Sequence, residues 1–249
     1  MRRIILLMIA FIGLSAMVYS QNQEDKPYGG ETLIEIRKKL PKKYTIVLEQ
    51  GLRYRNNFED YDRLSTRIRL DKKINKHIKL GAYYKLVYRD KFYSKHTESG
   101  RISLDTNYMQ PRHRMAVQAS LYYGFNGFEI SLRERLEASI WERYKRHRPG
   151  SVIIDTLLLE TKIELRSKLE LSYKIPKTKL GLYAFAEPYL HLNRDDTPLL
   201  SRGNLGLGSN YRINKSHRLT AQYRYRYRAR EVEINDITHL FTIAYSFRF

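Results

Sequence analysis

Cysteine is absent from the 249 residues, and proline and tryptophan are scarce, at seven and one. Without thiols the chain can form neither a disulfide framework nor a thiolate metal site, and it lacks the lipid-attachment cysteine of a bacterial lipoprotein. Acid is short as well: 26 Asp and Glu face 46 Lys and Arg, a formal charge of +20. No long apolar run follows the first twenty residues, which excludes a bundle of membrane-spanning helices, since each needs about 20 consecutive apolar residues. What the chain has in excess is tyrosine, 21 of them within a 42% hydrophobic composition. That is too apolar and too aromatic for a disordered basic tail.

Residues 1–20 read as a secretory signal. Arg2 and Arg3 form the positive start, Ile4 to Leu14 the apolar core, and Val18-Tyr19-Ser20 a small-residue exit before polar Gln21. Removing the signal takes away its two arginines and lowers the charge from +20 to +18. Residues 21–30 then form a short N-terminal segment, and 31–249 the structured body. An exported chain with no further apolar anchor is expected in the periplasm, the medium or the outer membrane.

Alternation is the main signal beyond that point. From His217 to Arg228, Leu219, Ala221, Tyr223, Tyr225 and Tyr227 share one parity, and Arg218, Thr220, Gln222, Arg224, Arg226 and Arg228 share the other. Successive side chains of a strand point to opposite faces, so this segment carries one apolar-aromatic face and one basic face. Residues 157–175 repeat the pattern, with only Leu158 out of place. The same test marks eleven candidate strands, at 31–39, 43–55, 61–71, 77–89, 112–123, 127–143, 157–175, 178–193, 203–213, 217–229 and 237–249. Most exceed the five or six residues usual in soluble sheets and match the roughly 9–11 that a tilted strand needs to cross a bilayer. Residues 128–148 are rich in helix formers, and Leu132, Leu136, Ile140 and Tyr144 also fit a helical stripe. The neighbouring strands favour strand here, because a lone helix would interrupt the ladder.

Connections alternate in length. Tight ones at 40–42, 72–76, 124–127, 176–178 and 214–216 carry turn residues, whereas 90–111, 144–156, 194–202 and 230–236 are longer and more polar. Outer-membrane barrels show short periplasmic turns and long external loops, so the short-turn rim is expected to be periplasmic. The fold expected is all-β, a single antiparallel transmembrane β-barrel of about 10–12 strands. Single-chain bacterial barrels usually have an even strand number. Residues 101–108, where Ile102, Leu104, Thr106 and Tyr108 alternate with polar neighbours, are the candidate for a twelfth strand.

The final segment places Phe241, Ile243, Tyr245, Phe247 and Phe249 on one parity. This resembles the assembly signal that the barrel assembly machinery reads on bacterial outer-membrane barrels. Gly30-Glu31-Thr32-Leu33-Ile34-Glu35, Lys38-Lys39-Leu40-Pro41-Lys42-Lys43, Glu49-Gln50-Gly51-Leu52-Arg53-Tyr54-Arg55 and the closing Phe together resemble a family of small bacterial outer-membrane proteins known only as a domain of unknown function. The resemblance implies the barrel fold and brings no activity, cofactor or catalytic residue with it.

Sorted by parity, the apolar face meets lipid, with Tyr44, Tyr54, Tyr88, Tyr123, Tyr173, Tyr211, Tyr223, Tyr227 and Tyr245 as candidates for interfacial girdles. The other face meets the lumen. Its charge cluster is Arg53, Arg55, Arg67, Arg69, Arg133, Arg135, Arg166, Arg224, Arg226 and Arg228, with Glu49, Glu160 and Glu164. Charges of both signs can fill a narrow barrel, whereas a basic lumen could pass or bind small anions. Lipid and lipopolysaccharide are the expected surroundings. The seven histidines show no metal-ligand spacing. Ser201, Ser209, His191 and His217 match no hydrolase signature, so no enzyme activity, metal or cofactor is expected. Nucleic acid is not an expected partner, because Tyr223 to Arg228 would place rings and guanidinium groups on opposite faces of one strand. Gly206-Leu207-Gly208 lacks the lysine of a phosphate loop, and its glycines read as relief of crowding inside a strand.

Overall fold

Residues of alternating polarity can satisfy their backbone groups in a membrane only if both edges of every strand are paired. The structure, a computed structural model, describes residues 28–96, 102–147, 154–193, 200–228 and 239–249. The expected export signal, and all of segment 21–30 before Tyr28, lie outside the described residues. Eleven strands follow: β1 (Tyr28–Lys39), β2 (Tyr44–Arg55), β3 (Asp60–Lys73), β4 (Ile78–His96), β5 (Ile102–Phe125), β6 (Phe128–His147), β7 (Ile154–Lys174), β8 (Leu180–His191), β9 (Leu200–Arg212), β10 (His217–Arg228) and β11 (His239–Arg248). Each lies antiparallel to its neighbours in sequence, and the sheet closes into a barrel through β1 and β11. That last pairing is parallel, from Tyr28↔His239 to Arg37↔Arg248. Parallel closure is forced by an odd count, since the first and last strands of an eleven-strand meander run the same way.

The eleven segments marked by parity are thus eleven strands, within the expected 10–12, and the candidate twelfth strand at 101–108 is corrected. Residues 102–108 continue into β5, which pairs with β4 without a break from Ile78↔Leu121 to Lys95↔Leu104. Pro111 does not divide the strand because β5 pairs with β6 only from Arg112 onward, so it sits where that ladder ends. Residues 128–147 are strand along their whole length, with Leu132 facing Leu121 on one side and Leu169 on the other. A helix there would have left both neighbours with open edges.

One rim carries the expected short connections, at 40–43, 74–77, 126–127, 175–179 and 213–216. Asn126 (φ 45°) and Gly127 (φ 84°) both take left-handed backbone angles and form a two-residue hairpin turn of the kind that matches the right-handed twist of its strands. The opposite rim differs from expectation. The segments 90–111 and 144–156 are mostly strand, because β4 to β7 run for 19 to 24 residues. They carry paired sheet beyond the length a bilayer needs.

The two faces are inverted relative to a water-soluble protein. Glu137 is 1% exposed, whereas Leu169, Ile68 and Ile243 on the outer surface are 52–59% exposed. Aromatic rings band that outer surface at two levels. Near the short-turn rim Tyr123, Phe125, Phe128 and Tyr173 form a chain with centroids 4.5–6.1 Å apart, and His217, Phe247 and Phe249 continue it. Higher up, Tyr28, Tyr223, His239, Phe58 and Phe241 cluster. Eight residues of β11 separate Phe241 from Phe249, about 19 Å along the axis at a 45° tilt. That spacing suits the apolar band of an outer-membrane barrel, about 25 Å tall. The side chain of Tyr227 lies outside the described residues.

Gly206 and Gly208 make room for two rings inside the barrel. They face Phe185 and Tyr183 across the β8–β9 ladder. A Cβ on Gly206 would lie 2.9 Å from the Tyr223 carbonyl oxygen, and one on Gly208 2.7 Å from that of Ala221, besides meeting the rings themselves. Both glycines thus serve close packing. Gly208→Val is expected to cost about 1–3 kcal/mol by overpacking, read as a lower urea midpoint for unfolding in detergent.

Candidate functional site: the charged lumen

Inward-facing charge on adjacent strands falls into layers. Along β6 and β7, Arg133 faces Lys168, Arg135 faces Arg166, and Glu137 faces Glu164 one step further on. Like charges directly opposite repel, so stability has to come from diagonal contacts between basic and acidic layers. Those contacts are present. Glu137 accepts from Arg166 at 3.0 Å and lies 3.5 Å from Arg114, and the Tyr83 hydroxyl donates to it as well. Glu187 accepts from Arg133 (2.8 Å), Arg166 (3.2 Å), Tyr189 (2.9 Å) and Asn204 (3.1 Å). Arg166 is the bridge between the two acids, and its guanidinium also lies 4.3 Å above the Tyr189 ring.

The same arrangement runs toward both ends. Nearer the short turns, Glu49 holds Arg67 and Lys85, and Glu35 holds Arg37, Arg69 and the Ser246 hydroxyl. Nearer the other rim, Glu31 accepts from Arg53 at 2.8 Å, and Asp90 from Arg55 at 3.2 Å. Glu164 holds Lys162, His191 and Arg202 at 2.8–2.9 Å. A β-bulge supplies one of the acids. Arg53 pairs with Arg63 and Tyr54 with Tyr61, so Asp62 is the extra residue of β3. It turns inward beside a basic row, Arg53, Arg63 and Arg89, and accepts from Arg63 at 2.7 Å and Arg89 at 3.3 Å.

Every described member of the expected lumen cluster is on the inner face. Arg53, Arg55, Arg67, Arg69, Arg133, Arg166, Glu49 and Glu164 are ion-paired, and Arg135 donates to Gln118 at 3.0 Å while stacking on Tyr83. Arg224 and Arg226 face inward on β10, and Glu160 faces Trp141 across β6–β7. The Arg228 side chain lies outside the described residues. Tyr83, Trp141, Phe185 and Tyr189 share the lumen, on the parities of Lys85, Arg133 and Glu187. Arg112 stacks on Trp141 at 4.1 Å, and Lys168 on Phe185 at 4.1 Å. The loose hydrolase candidates do not meet. His191 contacts Glu164 inside, His217 contacts the Tyr245 hydroxyl outside, and Ser209 lies on the outer face between Leu182 and Ala221. The Ser201 side chain is outside the described residues.

With this geometry in hand, a family model described as a protein of unknown function, DUF2490, matches residues 32–236. The chain belongs to the DUF2490 family. Its members' name states no activity, so the family places this chain without assigning a reaction. Among solved structures, the β domain of the Bordetella autotransporter BrkA is similar at 14% identity, covering 90% of this chain and 99% of that one, with a TM-score of 0.53. At that identity the likeness speaks to the fold, a barrel of the outer-membrane type. No curated protein matches this DUF2490 chain in sequence.

Proposed function

We propose that this DUF2490 protein is an integral outer-membrane barrel, exported by its N-terminal signal, whose lumen is sealed by its own side chains and whose role is structural rather than catalytic. The observation that carries this reading is the inverted burial: an apolar, twice-girdled outer surface around a core of ion-paired carboxylates such as Glu137 and Glu187, each under 5% exposed. A network of that kind stiffens the barrel and fills its interior with charged side chains. The outward ladder Phe241, Ile243, Tyr245, Phe247 and Phe249 is the surface offered to the assembly machinery, and membrane lipid covers the rest.

A second reading, narrow passage of anions, draws on Arg112, whose guanidinium stacks on the Trp141 ring and, among the described residues, forms no ion pair. Planar-bilayer recording separates the two. The sealed barrel is expected to show no unitary current, both as the natural protein and with Arg224 and Arg226 changed to Glu. Anion-selective steps that reverse selectivity in the double variant would establish the pore instead. Heat-modifiable gel migration tests the membrane barrel itself, and full solubility after export with no such shift would refute it.

A further inference from the structure

At the short-turn rim between β7 and β10 the inward charge is mainly basic. A cavity of about 230 Å³ opens there, and the cations on its wall are Lys174, Lys179, Arg212 and Arg218, with no Asp or Glu among the lining residues. Register explains the concentration. Arg212 stands directly opposite Arg218 across β9–β10, and Lys174 stands opposite Gly181, which in turn faces Asn210. Because Gly181 has no side chain, the space between Lys174 and the Asn210 amide stays open.

Among the described residues no ion pair joins Lys174, Lys179, Arg212 or Arg218 to an acid; Glu129, opposite Ser172 on β6, borders a neighbouring cleft with Ser172 and Lys174. Lys179 donates to the Ile213 carbonyl oxygen at 2.9 Å, which positions its ammonium without cancelling the charge. The charged groups facing Arg218 are Arg37, Arg248, Arg212 and Glu35. Glu35 is already taken by Arg37, Arg69 and Ser246. Elsewhere in the lumen acids sit diagonally to basic rows, as Asp62 does beside Arg63 and Arg89. Here directly opposed guanidinium groups face an open cavity, an arrangement that costs stability unless an anion enters.

We propose that this rim cavity is a binding site for a phosphoryl group. Two guanidinium forks and two ammonium groups converge from three strands and a turn, with the Asn210 amide and the Ser172 hydroxyl beside them. A carboxylate offers two oxygens and one charge, whereas a phosphoryl group offers three acceptor oxygens and up to two charges. The volume is below the roughly 300–1,000 Å³ of sites that enclose drug-sized ligands, so the cavity takes the phosphoryl group and leaves the remainder of the molecule outside. Tyr173, Leu180 and Leu182 also border the cavity. The phosphate can therefore come from a dissolved phosphate ester or from the headgroup of a lipid in the adjoining leaflet. The site does not depend on whether the lumen conducts.

The test is titration of inorganic pyrophosphate into the full-length barrel in a phosphate-free non-ionic detergent, followed by calorimetry. Arg212→Gln with Arg218→Gln is expected to weaken binding at least tenfold while keeping heat-modifiable migration. Lys42→Gln with Lys43→Gln removes the same charge elsewhere on the rim and is expected to change affinity less than twofold. No binding by the natural protein, or equal loss in both double variants, overturns the proposal. Competition by phosphatidylglycerol but not by diacylglycerol assigns the site to a lipid headgroup, and absence of competition assigns it to a dissolved ester.

Discussion

Replacing Arg166 by Met is expected to lower the unfolding free energy of the barrel by about 3–5 kcal/mol, the cost of removing one partner from a buried ion pair. Arg166 donates to Glu137 at 3.0 Å, to Glu187 at 3.2 Å and to the Tyr189 hydroxyl at 2.6 Å. Its loss leaves two carboxylates in the lumen with fewer donors than charge and shape require. Urea unfolding in detergent, followed through Trp141, the single tryptophan, reads the change directly. Adding Glu137→Gln and Glu187→Gln to the same chain is expected to return part of the stability, since the charges left unpaired are then gone. A loss no larger for Arg166→Met than for an exposed rim substitution such as Lys42→Met would show that the network contributes nothing.

Leu169→Arg is expected to cost about 2–4 kcal/mol when unfolding is measured from phospholipid vesicles, the cost of a cation on the lipid face near the midplane. Leu169 points outward, 54% exposed, between Leu132 and Ala186. Five residues of β7 separate it from Lys174 at the short-turn rim, about 12 Å along the axis at a 45° tilt. On a protein surrounded by water, a substitution at so exposed a position would stay within about 0.5 kcal/mol. The measurement thus tests the lipid-facing assignment of that surface independently of the lumen.

Much of the barrel was legible because strand parity is a local property. Leu219, Ala221, Tyr223 and Arg218, Thr220, Gln222 alternate in the chain for the same geometric reason that they face opposite sides of β10. The helical stripe in 128–148 shows where local preference fails. There the open edges of β5 and β7 outweigh the helix propensity of Glu, Leu and Arg. The parallel closing pair escaped a local reading, because closure depends on which two edges remain to pair. Parity on β8 was ambiguous too: Tyr183, Phe185 and Tyr189 look as apolar as Leu180, Leu182 and Leu190, and Gly208 and Gly206, opposite Tyr183 and Phe185 on β9, leave the inner face open to those two rings.

By itself the sequence determined the alternation, the excess of Arg and Lys over acid, the turn residues of one rim and the division of nearly every strand into an apolar and a charged face. All of these depend on bonds and side chains within a few residues of each other. The tertiary structure decided the rest: parallel closure through β1 and β11, the extension of β4 to β7 beyond bilayer length, the bulge that delivers Asp62 to a basic row, and the pairing of buried acids such as Glu49, Glu137 and Glu187 with cations on other strands. It also decided where that pairing stops. Arg212 and Arg218 are ordinary members of an alternating pattern in the chain, and only the register of β9 against β10 sets them directly opposite each other beside a cavity whose lining holds no acid.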